Sequence, residues 1–184
     1  MQWLNEPPVW REEGDTLIVT TAPDTDFWRQ THYGFVRHTG HVRLEEATGN
    51  FTASVRFTGA YRDLYDQAGL MLVVDESNWL KCGIEFTSGK LHVSSVLTRD
   101  FSDWSVLPIE WTTEPVTIRV TRLNETLMVD YSLDGEHFQM IRLGYLPMPD
   151  VVSVGPMCCS PTGSGFEATF TDFQIGPPKR EGDQ

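Results

Sequence analysis

Trp79, Lys81 and Glu85 stand at alternate positions of the stretch NWLKCGIEF (78–86). In a β-strand such residues share one face, because side chains alternate with a period of two. Leu80, Cys82, Ile84 and Phe86 then make an apolar opposite face. The polar row could grip a polyhydroxylated ligand. Charged groups bond hydroxyls, and an aromatic face covers the apolar side of a sugar ring. Gly83 lies in the same row and would leave room for a ligand to approach the backbone.

Neighbouring stretches repeat this chemistry. In YDQAGLMLVVD (65–75), alternation sends Ala68, Leu70 and Leu72 to a core and Gln67, Gly69 and Met71 to the other face, with Asp66 at the strand mouth. Ser102, Asp103 and Trp104 stand together in a stretch read as a loop, and Asp26, Phe27 and Trp28 form a second Asp–Trp group. Arg119 and Tyr131 join the set if their strands face the same groove, which depends on a register that alternation does not set. The expected ligand is a small polyhydroxylated molecule or saccharide. The Lys81 charge favours an anionic or phosphorylated one. Trp79→Ala or Lys81→Ala is expected to abolish binding with little loss of melting temperature.

Catalysis is disfavoured. Glycosidases that retain configuration need two carboxyls close together across the scissile bond. Here the strand supplies only Glu85, and the adjacent Lys81 is expected to lower its pKa, the wrong direction for a general acid. No catalytic residue, metal or cofactor is assigned. His32, His38 and His41 lack the helical spacing that would bring two rings to one ion, and no phosphate-cradling glycine motif occurs.

The elements that must position these residues read almost entirely as strands. TLIVTTA (16–22), FTASVRFTG (51–59), AGLMLVVD (68–75), WLKCGIEF (79–86) and LHVSSVLT (91–98) come first. VTIRVTR (116–122), LMVDYSL (127–133), FQMIRLG (138–144), VVSVGPMC (151–158) and GFEATFTDFQI (165–175) follow. All are rich in β-branched and aromatic residues, and turn signals such as Asp134-Gly135 separate them. A short helical turn is expected at most near 25–29 or 61–65. The predicted fold is an all-β, two-sheet antiparallel jelly-roll sandwich, with one domain over 1–176 and a loose, proline-led tail over 177–184.

Composition narrows the partners. Fourteen Lys and Arg against 26 Asp and Glu give a net charge of −12. A chain this acidic disfavours nucleic acid and anionic membranes. The N-terminus lacks a secretory signal pattern, and no apolar run is long enough for a span. Cys82, Cys158 and Cys159 are an odd number, two of them adjacent, which suits free thiols and a cytoplasmic location.

Six stretches stand in a familiar order: TDFW (25–28), YDQAGLML (65–72), NWLKCGIEF (78–86), SDWS (102–105), YSLDG (131–135) and VGPMCCSP (154–161). Together they resemble an uncharacterised family that includes a regulation-of-enolase protein, within the concanavalin A-like lectin and glucanase superfamily. The resemblance covers residues 3–175 and implies a jelly roll whose curved sheet forms a groove. Glucanases of that superfamily carry an E-x-D-x-E strand, which this chain lacks. The leading expectation is therefore a non-catalytic binding module. The alternative, implied by the family's name alone, is a regulatory factor with a protein partner such as enolase. A sugar-acting enzyme with another kind of site comes third.

Overall fold

The computed structural model describes residues 1–179 of the 184. In chain order the strands are β1 (Gln2–Leu4), β2 (Val9–Glu13), β3 (Thr16–Thr20), β4 (Phe27–Arg29), β5 (Val36–His38), β6 (His41–Thr48), β7 (Phe51–Gly59) and β8 (Gln67–Asp75). They continue as β9 (Asn78–Thr87), β10 (Lys90–Arg99), β11 (Phe101–Pro108), β12 (Val116–Leu123), β13 (Thr126–Ser132), β14 (Gln139–Tyr145), β15 (Val151–Cys159) and β16 (Glu167–Gly176).

Two seven-stranded antiparallel sheets form a jelly-roll sandwich. The first has the order β1-β6-β15-β8-β9-β10-β11 and the second β14-β13-β12-β7-β16-β3-β2. No helix occurs among the described residues; of the short turn expected near 25–29 or 61–65, 27–29 is strand and a single turn stands at 63–66, where the Asp66 amide donates to the Asp63 carbonyl at 3.0 Å. Residues 101–108, expected to be a loop, pair with β10 over their whole length as β11. Segments 2–4, 9–13 and 41–48 also add strands that turn chemistry did not mark.

Alternation places one side chain of each pair between the sheets. Ala68, Leu70 and Leu72 of β8 and Leu80, Cys82 and Ile84 of β9 pack there against Val55 and Phe57 of β7, Ile118 and Val120 of β12, and Phe170 of β16. These strands are buried on the other face as well. A second apolar cluster of Phe27, Trp28, Met71, Trp79, Val96, Met157 and Cys159 lies on the outer face of the first sheet. The short β4–β5 hairpin covers it. Phe27 meets Trp79 edge to face with centroids 6.1 Å apart, and the Arg29 amide donates to Ser102 Oγ on β11 at 2.9 Å.

All three thiols are free and buried. Of the tail expected over 177–184, the Lys179 amide donates to Thr52 Oγ1 at 2.8 Å. Residues 180–184 lie outside the described part.

Candidate functional site

The pocket lies where the hairpin stops covering the outer face of the first sheet. β9 and β8 supply its floor. Lys81 and Glu85 stand on β9, and Glu85 pairs in register with Gln67 of β8. β11 adds Trp104, the hairpin and its loop add Trp28, Tyr33, Phe35 and Arg37, and Tyr65 comes from the turn before β8. The space they enclose is about 230 Å³.

The aromatic walls meet at steep angles. Trp28 is 5.6 Å from Tyr33 at 71° between planes. It is 6.4 Å from Trp104 at 89°, and Tyr65 is 6.3 Å from Trp104 at 79°. Perpendicular neighbours make the sides of a box rather than a single stacking platform. The Tyr33 and Tyr65 hydroxyls lie 3.4 Å apart across its mouth. That contact, followed by burial, pushes the Tyr65 pKa up to about 12. Tyr65 holds this place with φ 69°, a left-handed conformation that non-glycine residues adopt at a cost.

On the floor, Lys81 Nζ lies 3.1 Å from Asp26 Oδ1, and both side chains are almost fully buried. Burial is the largest influence on Lys81 and lowers its pKa, but Asp26, with Cys159 and Glu85, outweighs it and holds the amine charged. Asp26 Oδ1 also accepts the Phe27 amide at 2.8 Å. The pair thus ties the sheet to the root of the hairpin. Glu85 is only 4% exposed. Its Oε2 accepts the Trp104 indole N–H at 3.1 Å. Burial pushes its carboxyl up, and Lys81, Ser94 and Trp104 pull it down without winning. The expectation of a lowered Glu85 is thus reversed, because desolvation in this site exceeds the attraction of an ammonium already facing Asp26.

Of the residues singled out in the sequence, Lys81, Glu85, Gln67, Asp26, Trp28 and Trp104 come together around the pocket. Five others do not. Trp79 shares the face of Lys81 and Glu85 but is 0% exposed beneath the hairpin, so no ligand can stack on it. Asp66 is sealed in its turn, where it accepts the Arg62 and Asp63 amides and the Ser160 hydroxyl at 2.6 Å. Because residues 101–108 form a strand, Asp103 faces opposite to Trp104 and pairs with Arg142 at 3.1 Å. Arg119 belongs to the second sheet and pairs with Asp130 at 3.0 Å. Tyr131 lies in the core between the sheets. Gly83 also has another purpose: it stands directly opposite Gly69. A Cβ there would strike the Ala68 carbonyl, so the room it leaves is filled by β8.

Tyr33, Phe35, Arg37 and Tyr65 were not anticipated. Their signal was the aromatic run HYGF (32–35) beside TDFW, which carried no facing information until the hairpin was formed. The three histidines of that region are used separately. His32 and His38 pack edge to face on Tyr33 and Phe27, and the His41 ring takes the Ala22 amide and faces the Asn5 carbonyl. Among the described residues no group of three or more His, Cys, Asp or Glu side chains could hold a metal ion.

The sequence profile of the family described as "Protein of unknown function (DUF1349)" matches residues 3–178. The chain belongs to the DUF1349 family. A Saccharomyces cerevisiae protein called regulation of enolase protein 1 is 40% identical over 176 residues, 96% of this chain and 89% of that protein. A crystal structure of a functionally unknown protein from Saccharomyces cerevisiae matches with a TM-score of 0.93 at 39% identity, covering 97% of each chain. The Bacillus subtilis carbohydrate-binding module CBM66 matches with a TM-score of 0.59 at 8% identity, covering 95% of this chain and 94% of that one. The last likeness is one of fold. The co-linear motifs had pointed to this same family, and the DUF1349 chain here has the jelly roll that resemblance implied.

Proposed function

We propose that this chain is a non-catalytic binding module that takes one saccharide unit in the pocket beside the β4–β5 hairpin. The observation that carries the reading is the box of Trp28, Tyr33, Tyr65 and Trp104 over the hydrogen-bonding side chains of Gln67 and Glu85. Its 230 Å³ is below the roughly 300–1,000 Å³ of drug-sized sites and suits a single ring. The carbohydrate-binding module of like fold adds support by analogy only. Lys81 is already paired with Asp26, so the argument for a sugar phosphate falls away. One pocket carboxylate is in that pair and Glu85 stands alone, which supports binding rather than a two-carboxyl hydrolysis. The buried free thiols fit a reducing compartment such as the cytoplasm.

Tryptophan-fluorescence titration and thermal shift against a saccharide panel test this reading. A bound sugar should raise the melting temperature by mass action. Trp104→Ala removes one wall of the box and the indole donor to Glu85, and that variant, once shown to be folded, should lose the shift. A second reading is a regulatory factor that docks on a metabolic enzyme such as enolase. It draws on the yeast relative's name and on Tyr33, Phe35 and Val36, which are exposed on the hairpin at the pocket rim. It is favoured if the panel gives no shift and purified enolase binds stoichiometrically.

A further inference from the structure

Resting on the saccharide reading, we infer that the sugar is an amino sugar, whose ammonium enters the aromatic box and meets Glu85. Glu85 is a carboxylate buried to 4% exposure, and its hydrogen-bond partners, Trp104 and Ser94, are neutral. No cation stands within ion-pair distance of it among the described residues. Burial raises the Glu85 pKa although Lys81 opposes it from beyond ion-pair distance, so the carboxylate form is short of positive charge, and an ammonium brought in from solution supplies it.

The cations nearby are already engaged. Lys81 faces Asp26 at 3.1 Å. The Arg37 guanidinium lies 5.0 Å over the Phe35 ring, and its Nη1 donates to the Pro161 carbonyl at 3.3 Å. Lys81 is thus neutralised by Asp26, while Arg37 holds its charge against the Phe35 ring and the Pro161 carbonyl rather than against Glu85. The walls favour positive charge too, because the faces of Trp and Tyr rings are the negative ends of their quadrupoles. Trp28, Tyr33, Tyr65 and Trp104 surround the space above Glu85 on several sides. A neutral pyranose would use one of these faces. An ammonium gains from an aromatic face and from the carboxylate together.

The test is calorimetric titration of the full chain with glucosamine, glucose, N-acetylglucosamine and choline, at a pH that keeps the amine protonated. Glucosamine should bind about tenfold tighter than glucose, since a desolvated cation–π contact and a charge-assisted hydrogen bond are both added. N-acetylglucosamine, whose nitrogen is uncharged, should bind no better than glucose. Glu85→Gln keeps the shape and the Trp104 contact and should bring glucosamine down to the glucose level. Tyr33→Leu, on the exposed hairpin, should weaken glucosamine while leaving the melting temperature in place. Equal affinity for the three sugars overturns the ammonium inference and leaves the saccharide reading standing. Choline binding without any sugar binding overturns the saccharide reading and the sugar as the source of the cation. No binding of any of the four overturns both.

Discussion

Each sheet carries a buried ion pair on its outer face, and the two pairs do different things. Arg119 and Asp130 are direct cross-strand neighbours on β12 and β13. The guanidinium lies under the Phe138 ring at 3.9 Å. That pair joins strands which their backbone ladder already holds. Lys81 and Asp26 are 55 residues apart, and their contact joins a strand to the base of a separate hairpin. A pair within a sheet adds to a flat surface. A pair between a sheet and its cover holds the cover at a fixed height and leaves a cavity beside it.

Breaking each pair should separate stability from binding. In Arg119→Met, Asp130 is left buried at 4% exposure with no other hydrogen-bond partner among the described residues. The loss should lie at the upper end of the range for an orphaned buried charge, about 5 kcal/mol by urea denaturation. Ligand titration of the protein that remains folded should be unchanged. In Lys81→Met, Asp26 keeps the Phe27 amide, so the loss should be nearer 3 kcal/mol. Yet binding should disappear, because the root of the hairpin loses its tie to β9 and the wall beside Glu85 is no longer held at its height. If Lys81→Met bound ligand normally, the pair would not shape the pocket.

The same contrast explains what could be read in the sequence. Facing is a local property, so alternation alone put Lys81, Glu85 and Gln67 on one side and Leu80, Cys82 and Ile84 on the other, as the structure does. Covering is a tertiary property. Nothing in NWLKCGIEF tells that a hairpin from residues 27–38 will lie over Trp79 and not over Glu85. Register between sheets is likewise not local, which is why alternation leaves the placing of Arg119 and Tyr131 open and only the structure puts them on the second sheet. The Gly69–Gly83 pair was visible as two glycines on one face, but only the pairing shows that each makes room for the other strand.

Glu85 gives a prediction in pH. Its folded pKa is raised above the ordinary glutamate value of 4.5, chiefly by burial. Between the unfolded and the folded pKa the native state then binds more protons than the unfolded state, so stability falls as pH rises through that window. The contribution is fully present below about 4.5 and gone above the folded pKa. Urea denaturation across this range should show a steeper decline for the native chain than for Glu85→Gln. Parallel curves would mean that Glu85 is better solvated than its burial implies. The exposed Asp134–His137 contact on the other sheet acts oppositely on its carboxyl, where hydrogen bonds from His137 and Glu136 lower the pKa.

The smallest effect belongs to Asp103. It was grouped with Trp104 because the two are adjacent, and adjacency on a strand means opposite faces. Its carboxylate meets Arg142 with 71% of the Asp103 side chain exposed. An ion pair so well solvated is worth under about 1 kcal/mol. Asp103→Asn should therefore change stability by only a few tenths of a kcal/mol, roughly the scale of a surface substitution. It should leave ligand affinity alone, whereas Trp104→Ala, one residue on, should abolish binding. Added salt should shrink even the small effect of Asp103→Asn, because an exposed pair is screened and a buried one is not. A loss of affinity in Asp103→Asn would mean that β11 does not present Trp104 to the box as its register with β10 requires.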